Sequence, residues 1–324
     1  MKKRTKVIVT GAILGAGVYA LQKTLSKELV NLAIVRKTPA KLEHSKKKAS
    51  GSGEHLKVLD DMKALSEKLE NSDTETVEIE AFDGVKLIGH YCKAQNPKRV
   101  ILAMHGWRSS WSRDFGGIAD FWHDNDCSVL YAEQRGQNAS GGDYMGFGIV
   151  ERYDVLEWAR YIDSVTEGKL PIYLAGVSMG ASTVLMASDL DLPESVHGIM
   201  ADCGYTSPKD IWHHVVQENF HIPYGFVASD IDRAYNKITQ AESTYSCENA
   251  LKNAKVPVIF VHGTADTFVP VVMTYRNYLA CSAEKELLVV PGASHGMSYF
   301  VEREKYETET KKFWERNDVR KGAE

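Results

Sequence analysis

Cysteine is scarce in this 324-residue chain, and its spacing suggests no pairing. Cys92, Cys127, Cys203, Cys247 and Cys281 are odd in number and include no Cys-x-x-Cys, which argues against a disulfide framework or a zinc site. Cys92, Cys127 and Cys203 sit in apolar, strand-like runs, where a free thiol packs as a small hydrophobe. No internal repeat is visible, and no low-complexity tract lies beyond the first fifty residues. Long apolar runs are also missing outside the N-terminus, which excludes a multi-span membrane protein. With 44% hydrophobic and 25% charged residues, the rest reads as one soluble globular body.

Acidic charge is nearly absent from the first fifty residues, which hold twelve Lys or Arg against two Glu. The whole chain nevertheless carries a net charge of -4, so the body is acidic. An acidic body repels phosphates and argues against nucleic-acid binding. The basic leader suits an anionic membrane surface. Lys2, Lys3, Arg4 and Lys6 precede an apolar run from Val7 to Leu21, the order of a secretory signal, with Val18-Tyr19-Ala20 as a candidate cleavage triplet. An uncleaved anchor is the rival reading, although fifteen helical residues span only about 22 Å against a bilayer core of about 30 Å. A third reading is an amphipathic helix packed on the protein, with Leu25, Leu29, Leu32 and Ile34 extending its apolar face. No Cys follows the apolar run, which speaks against a lipoprotein. The expected location is therefore membrane-anchored or exported, with a cytoplasmic protein as the alternative.

Polar residues over 36–54, including Lys46-Lys47-Lys48 and Ser50-Gly51-Ser52-Gly53, read as a flexible joint, and a helix is expected from about Glu54 to Leu69. Beyond it, eight apolar runs predict strands: Thr76–Ala81, Val85–Cys92, Arg99–Met104, Ser128–Ala132, Ile172–Ala175, Gly198–Ala201, Val258–Val261 and Leu287–Val290. Phe82-Asp83-Gly84 between the first two predicts a hairpin. Helix-length segments separate most of the others, which implies a mostly parallel sheet with helices on both faces. The connection from Ala201 to Val258 is unusually long and rich in aromatics and His, and is expected to form a helical lid.

Gly176-Val177-Ser178-Met179-Gly180 matches G-x-S-x-G. The apolar Pro171–Ala175 before it reads as a buried strand and Ala181–Ala187 after it as a helix, so Ser178 falls on a strand-to-helix turn. Small neighbours let strand and helix approach, and the helix N-terminus offers free N–H groups to developing negative charge. A serine hydroxyl needs a base to take its proton, and the base needs an acid to orient it. Val258–Val261 leads into Asp266, and Leu287–Val290 leads into His295, so both follow the C-terminal ends of strands, where sheets of this type place their sites. Asp202 also follows a strand and is read as structural; His262 is read as structural or as supporting Asp266. His213, His214 and His221 lack a carboxylate or Cys cluster and are read as lid packing, with no metal site. The loop His105-Gly106-Trp107 after the third strand is positioned to supply a backbone N–H from Trp107, with a second from Met179, to a tetrahedral oxygen.

These motifs resemble the α/β-hydrolase superfamily, and within it the serine-aminopeptidase-like or extended-lipase-like branch, over about residues 76–318. Val269-Pro270 and Ser294-His295-Gly296 add to the likeness. Gln134-Arg135-Gly136 through Ser140-Gly141-Gly142 looks like the branch's loop after the fourth strand, but Gln137-Asn138-Ala139 replaces the usual His-Gly and Glu133 the usual Asp. The resemblance implies a signal or anchor segment at 1–35, a linker and leader helix at 36–75, and a hydrolase domain at 76–324 with a lid at about 205–250. It implies a serine hydrolase with Ser178, His295 and Asp266 as its triad and no cofactor. An aromatic, apolar lid favours small to medium uncharged esters. An aminopeptidase or amidase is the alternative, which would need an acid such as Glu218 or Asp230 to hold an amine. A thioesterase or acyltransferase follows, and a non-catalytic binding protein comes last.

Overall fold

The structure, a computed structural model, describes residues 2–37 and 54–319. Most of the polar joint expected at 36–54 lies outside the described residues. All eight expected strands are present, with no end shifted by more than two residues: β1 Glu75–Glu80, β2 Lys86–Cys92, β3 Arg99–Met104, β4 Cys127–Ala132, β5 Ile172–Val177, β6 Val196–Asp202, β7 Val258–Gly263 and β8 Lys285–Val290. They form one sheet in the order β1-β2-β4-β3-β5-β6-β7-β8. β2 is antiparallel to both β1 and β4, and the other neighbours run parallel. The mostly parallel α/β-hydrolase sheet expected from the sequence is therefore what folds.

Alternation along β3 shows why these strands read as continuous apolar runs. Val100, Leu102 and Met104 enter one hydrophobic core, whereas Ile101 and Ala103 enter another on the opposite face. Helix α1 (Lys2–Ile34) packs against the first core, and α2 (Glu54–Glu70) and α3 (Trp111–Asp124) contribute to the second. The first core is also filled by α4 (Glu151–Thr166) and α5 (Met179–Met186). The long β6–β7 connection holds α6 (Pro208–His214), a π-helical turn at Val215–Asn219, α7 (Tyr224–Thr239) and α8 (Cys247–Leu251). α9 (Val271–Ala280), α10 (Ser298–Val301) and α11 (Arg303–Asn317) complete the chain, with Phe313 and Trp314 of α11 closing the second core.

At the N-terminus, the apolar run and Leu29–Ile34 belong to one continuous helix, α1. No helix among the described residues is long and apolar enough to cross a membrane. Val18, Tyr19 and Leu21 are exposed, whereas Ser26, Val30 and Ile34 are buried against the body. The five cysteines are all free, and all but Cys92 are buried.

Two glycines allow the turn that carries Ser178. A Cβ on Gly180 would lie 1.8 Å from the Met104 carbonyl oxygen, and one on Gly176 would lie 2.3 Å from the Gly180 carbonyl. Backbone on both sides leaves no flexible atom to give way. Gly180→Ala is therefore expected to lose on the order of 3 kcal/mol of stability or more in a urea titration. A loss below about 1 kcal/mol would show that β3 and α5 can part freely.

Candidate active site

Ser178 occupies the junction of β5 and α5 with φ 56° and ψ −117°. This is left-handed backbone that a non-glycine residue adopts only when its surroundings enforce it. The enforcing contacts are the close β3–α5 approach and a hydrogen bond from the Ser178 N–H to the Asp202 carbonyl. The result turns the hydroxyl toward the ends of β7 and β8. Ser178 Oγ lies 2.9 Å from His295 Nε2, and His295 Nδ1 lies 2.7 Å from Asp266 Oδ2. The three side chains singled out from the sequence thus form one hydrogen-bonded chain.

Asp266 is the fixed end of that chain. Its Oδ1 accepts the N–H groups of Phe268 and Val269 at 2.9 Å each, within the turn after β7. His262 Nε2 donates to the Val269 carbonyl at 2.8 Å and also stands 3.2 Å from Asp266 Oδ2, while its Nδ1 faces the Thr274 hydroxyl at 2.6 Å. Burial by itself would raise the Asp266 carboxyl. Bonds from His262 and His295, the imidazolium charge and the Val269 N–H outweigh it and hold the carboxyl well below the usual range. An ionised Asp266 then keeps a proton on His295 Nδ1, which leaves Nε2 free to accept the serine proton. The ring of Phe268 packs against His295 at 5.1 Å, edge to face.

Asp202 is a second buried carboxylate nearby. Burial pushes it up to about 6, against the pull of His262, a hydrogen bond from the Ser298 hydroxyl, and His295. Its acid form is favoured on folding, so its stabilising effect is full below about pH 4 and is lost as pH rises through about 6. Wild type is expected to lose on the order of 2–3 kcal/mol between pH 4 and pH 8 that Asp202→Asn does not lose. Urea titrations of both proteins at the two pH values read the difference directly. Parallel losses would show that Asp202 is ordinary.

The loop after β3 is tied on both sides of Trp107. The Gly106 N–H donates to Asp114 Oδ2 at 2.7 Å, and the Arg108 N–H to Gln137 Oε1 at 2.6 Å. Met179, the first residue of α5, has one of the N–H groups that no helical carbonyl reaches. Trp107 lines both recesses that Ser178 lines, and Met179 lines the apolar one, so both residues named from the sequence as oxyanion donors lie beside the nucleophile. Gln137 and Asn138, which replace the family's usual residues, both brace this loop, since Asn138 Nδ2 donates to the Ser109 carbonyl at 2.9 Å. Glu133 is turned away, paired with His90 at 2.8 Å.

Two recesses meet at Ser178. One, of about 230 Å³, is almost wholly apolar and is walled by Leu29, Ala33, Trp107, Phe147, Trp212 and Phe268, among others. The second, of about 270 Å³, is more polar and carries Arg113, Asp114 and His295. The β6–β7 insertion contributes Ile211, Trp212, Val215 and Val216 to the lining of the apolar recess. Its histidines are elsewhere engaged: His213 stacks on Tyr224, and His214 Nε2 donates to the Thr267 carbonyl. Neither Glu218 nor Asp230 lines either recess, and Asp230 is paired with Lys23 and Arg233. Among the described residues, Cys203, Asp266 and His295 are the group of three ligand-type side chains with donor atoms within 4.8 Å of one another. Burial pushes the Cys203 thiol well above its ordinary value, and Asp266 and His295 already bond each other, so the donor set fits a triad better than a metal.

Sequence reasoning missed α1 as a wall of the site, along with Gln137 and Arg108. A signal for α1 existed in the apolar periodicity of Leu25, Leu29, Leu32 and Ile34, but periodicity does not say against what a helix packs.

A profile of the prolyl oligopeptidase family matches residues 113–318, which include Ser178, Asp266 and His295. The chain belongs to the prolyl oligopeptidase family. Relatives by sequence include the uncharacterized protein YqkD of Bacillus subtilis, 22% identical over 232 residues, which cover 71% of this chain and 75% of that protein. Among solved structures, the Pyrococcus furiosus esterase Pf2001 is similar at a TM-score of 0.63 and 19% identity, covering 78% of this chain and 94% of its own. Est1E of Butyrivibrio proteoclasticus, solved with ferulic acid, gives 0.57 and 18%, covering 74% and 98%. An acylaminoacyl peptidase bound to a peptidyl chloromethyl ketone gives 0.56 and 17%, covering 77% of this chain and 43% of its own. Family and fold together make this protein a hydrolase of the serine type, on the α/β-hydrolase fold.

Proposed function

We propose that the protein is a carboxylesterase that acts on small to medium uncharged esters through an acyl-enzyme on Ser178. The observation that carries this reading is the Ser178–His295–Asp266 chain opening onto an apolar recess. Ser178 Oγ attacks the ester carbonyl as His295 Nε2 takes its proton. Asp266 holds the Nδ1 proton and offsets the imidazolium charge, and the N–H groups of Trp107 and Met179 receive the oxyanion. Collapse of the tetrahedral intermediate expels the alkoxide, which leaves with the proton from His295. Water, deprotonated by His295, then releases the acid and frees Ser178. The apolar recess takes the acyl chain by burying its methylenes, worth about 0.8 kcal/mol each. The more polar recess takes the leaving alcohol.

A peptidase or amidase is the second reading, supported by the family and by the acylaminoacyl peptidase likeness. Neither acid expected from the sequence to hold a free amine lines a recess, and Asp230 is already paired; Asp114, which does line the more polar one, is occupied by the Gly106 N–H and the Ser109 hydroxyl. Parallel rates on p-nitrophenyl esters, acetate to decanoate, and on aminoacyl and acylaminoacyl p-nitroanilides decide between the two. Preferential ester turnover is expected. Preferential anilide turnover would replace the esterase with a peptidase.

A further inference from the structure

The N-terminal helix reads from the sequence as a leader, yet its last turns form part of the site. Leu29 and Ala33 are one helical turn apart on one face of α1, and both line the apolar recess that Ser178 also lines. Val30 and Ile34, the neighbouring pair, also border the recess but are buried in the first core, which fixes the helix's rotation and leaves the half-buried Leu29 and Ala33 as the pair a substitution can change most freely. The contacts that seat α1 come from the catalytic side of the molecule. Trp107 Nε1 donates to the Ala33 carbonyl at 2.7 Å. The Arg108 guanidinium donates to the carbonyls of Leu32 at 3.1 Å, Val35 at 2.6 Å and Arg36 at 3.3 Å. Leu32 and its neighbours in the last turn have carbonyls without helical partners, and a cation there also meets the negative end of the helix dipole. Arg36 in turn donates to the carbonyls of Asn138 and Ser140 at 2.6 Å and Gly142 at 3.1 Å. Lys23 pairs with Asp230 of the β6–β7 insertion at 2.5 Å. The wall is thus pinned to the loop after β3, to the loop after β4 and to the insertion.

We infer that α1 is the specificity wall of the acyl site, with Leu29 and Ala33 setting the longest acyl chain accepted. This rests on the esterase reading above. Ala33 is the smallest of the α1 side chains that line the recess. A larger side chain at 33 fills the recess from the wall side, and alanine at 29 extends it by the volume of an isopropyl group.

The test is the acyl-length profile of the full chain and two variants on p-nitrophenyl acetate, butyrate, hexanoate, octanoate and decanoate. Rates are taken per active site, counted by fluorophosphonate labelling, so misfolded protein does not enter. Ala33→Leu is expected to lower the octanoate-to-acetate rate ratio at least tenfold. Leu29→Ala is expected to move the optimum to a longer chain. Opposite shifts from two residues on one helical face are not produced by general loosening. If both profiles superimpose on wild type, α1 is not the acyl wall, although the esterase reading stands. If wild type itself turns over no ester, the reading and the inference fall together.

Discussion

Ser178→Ala is expected to reduce ester turnover by about ten-thousandfold to a millionfold, with the fold intact. The fold should persist because the hydroxyl's hydrogen bond runs to His295 and the Ser178 backbone is held by β6 and by the β3–α5 contact. Alanine has the same Cβ and meets the same left-handed strain, so the turn gains no new cost. What disappears is the nucleophile, and His295 then has only water to activate. Residual catalysis from the oxyanion donors and substrate binding sets the floor. Steady-state rates on the preferred p-nitrophenyl ester, beside urea titrations of both proteins, check both halves. Turnover above about one per cent of wild type would contradict the assignment of Ser178.

Asp266→Asn is expected to cost about ten-thousandfold in kcat, comparable to a mutated acid in other triads. The amide can keep Oδ1 beneath the Phe268 and Val269 N–H groups, so the turn after β7 survives. Its NH₂ then faces His295 Nδ1 and donates where the carboxylate accepted. The imidazole proton moves to Nε2, which points at Ser178 and blocks the proton transfer. Asp266→Ala, by contrast, leaves those N–H groups without a partner and should lose stability as well. A variant with kcat within tenfold of wild type would mean that His295 is oriented by something else, with Asp202, whose charge it also feels, as the alternative carboxylate.

The sequence is informative where chemistry is local. Gly176, Ser178 and Gly180 can be read because a strand-to-helix turn with a left-handed serine tolerates little else, and the surrounding backbone confirms that crowding. Asp266 and His295 can be read because each follows an apolar run by a few residues, so the parallel sheet brings them to one edge. The strand order is not legible, since nothing in Arg99–Met104 says that β3 lies between β4 and β5. Nor is the second life of α1. Its basic and apolar start resembles a leader, and the residues that seat it, Trp107 and Arg108, are more than seventy positions away. Gln137 is a similar case. It departs from the family pattern in the sequence, and only the structure shows it accepting the Arg108 N–H beside the oxyanion donor. The setting of Asp202 is likewise tertiary: burial pushes its carboxyl up, and the groups that pull it back, Ser298, His262 and His295, all come from outside β6.

The most direct test of the central claim is covalent labelling. Wild type would be treated with a fluorophosphonate, and the intact mass and the modified peptide read by mass spectrometry. One adduct per chain, on Ser178 and absent from Ser178→Ala, is the result predicted from an activated serine in a formed triad. No adduct, or an adduct on another residue, would contradict it and would leave the Ser178–His295–Asp266 chain as structure without catalysis.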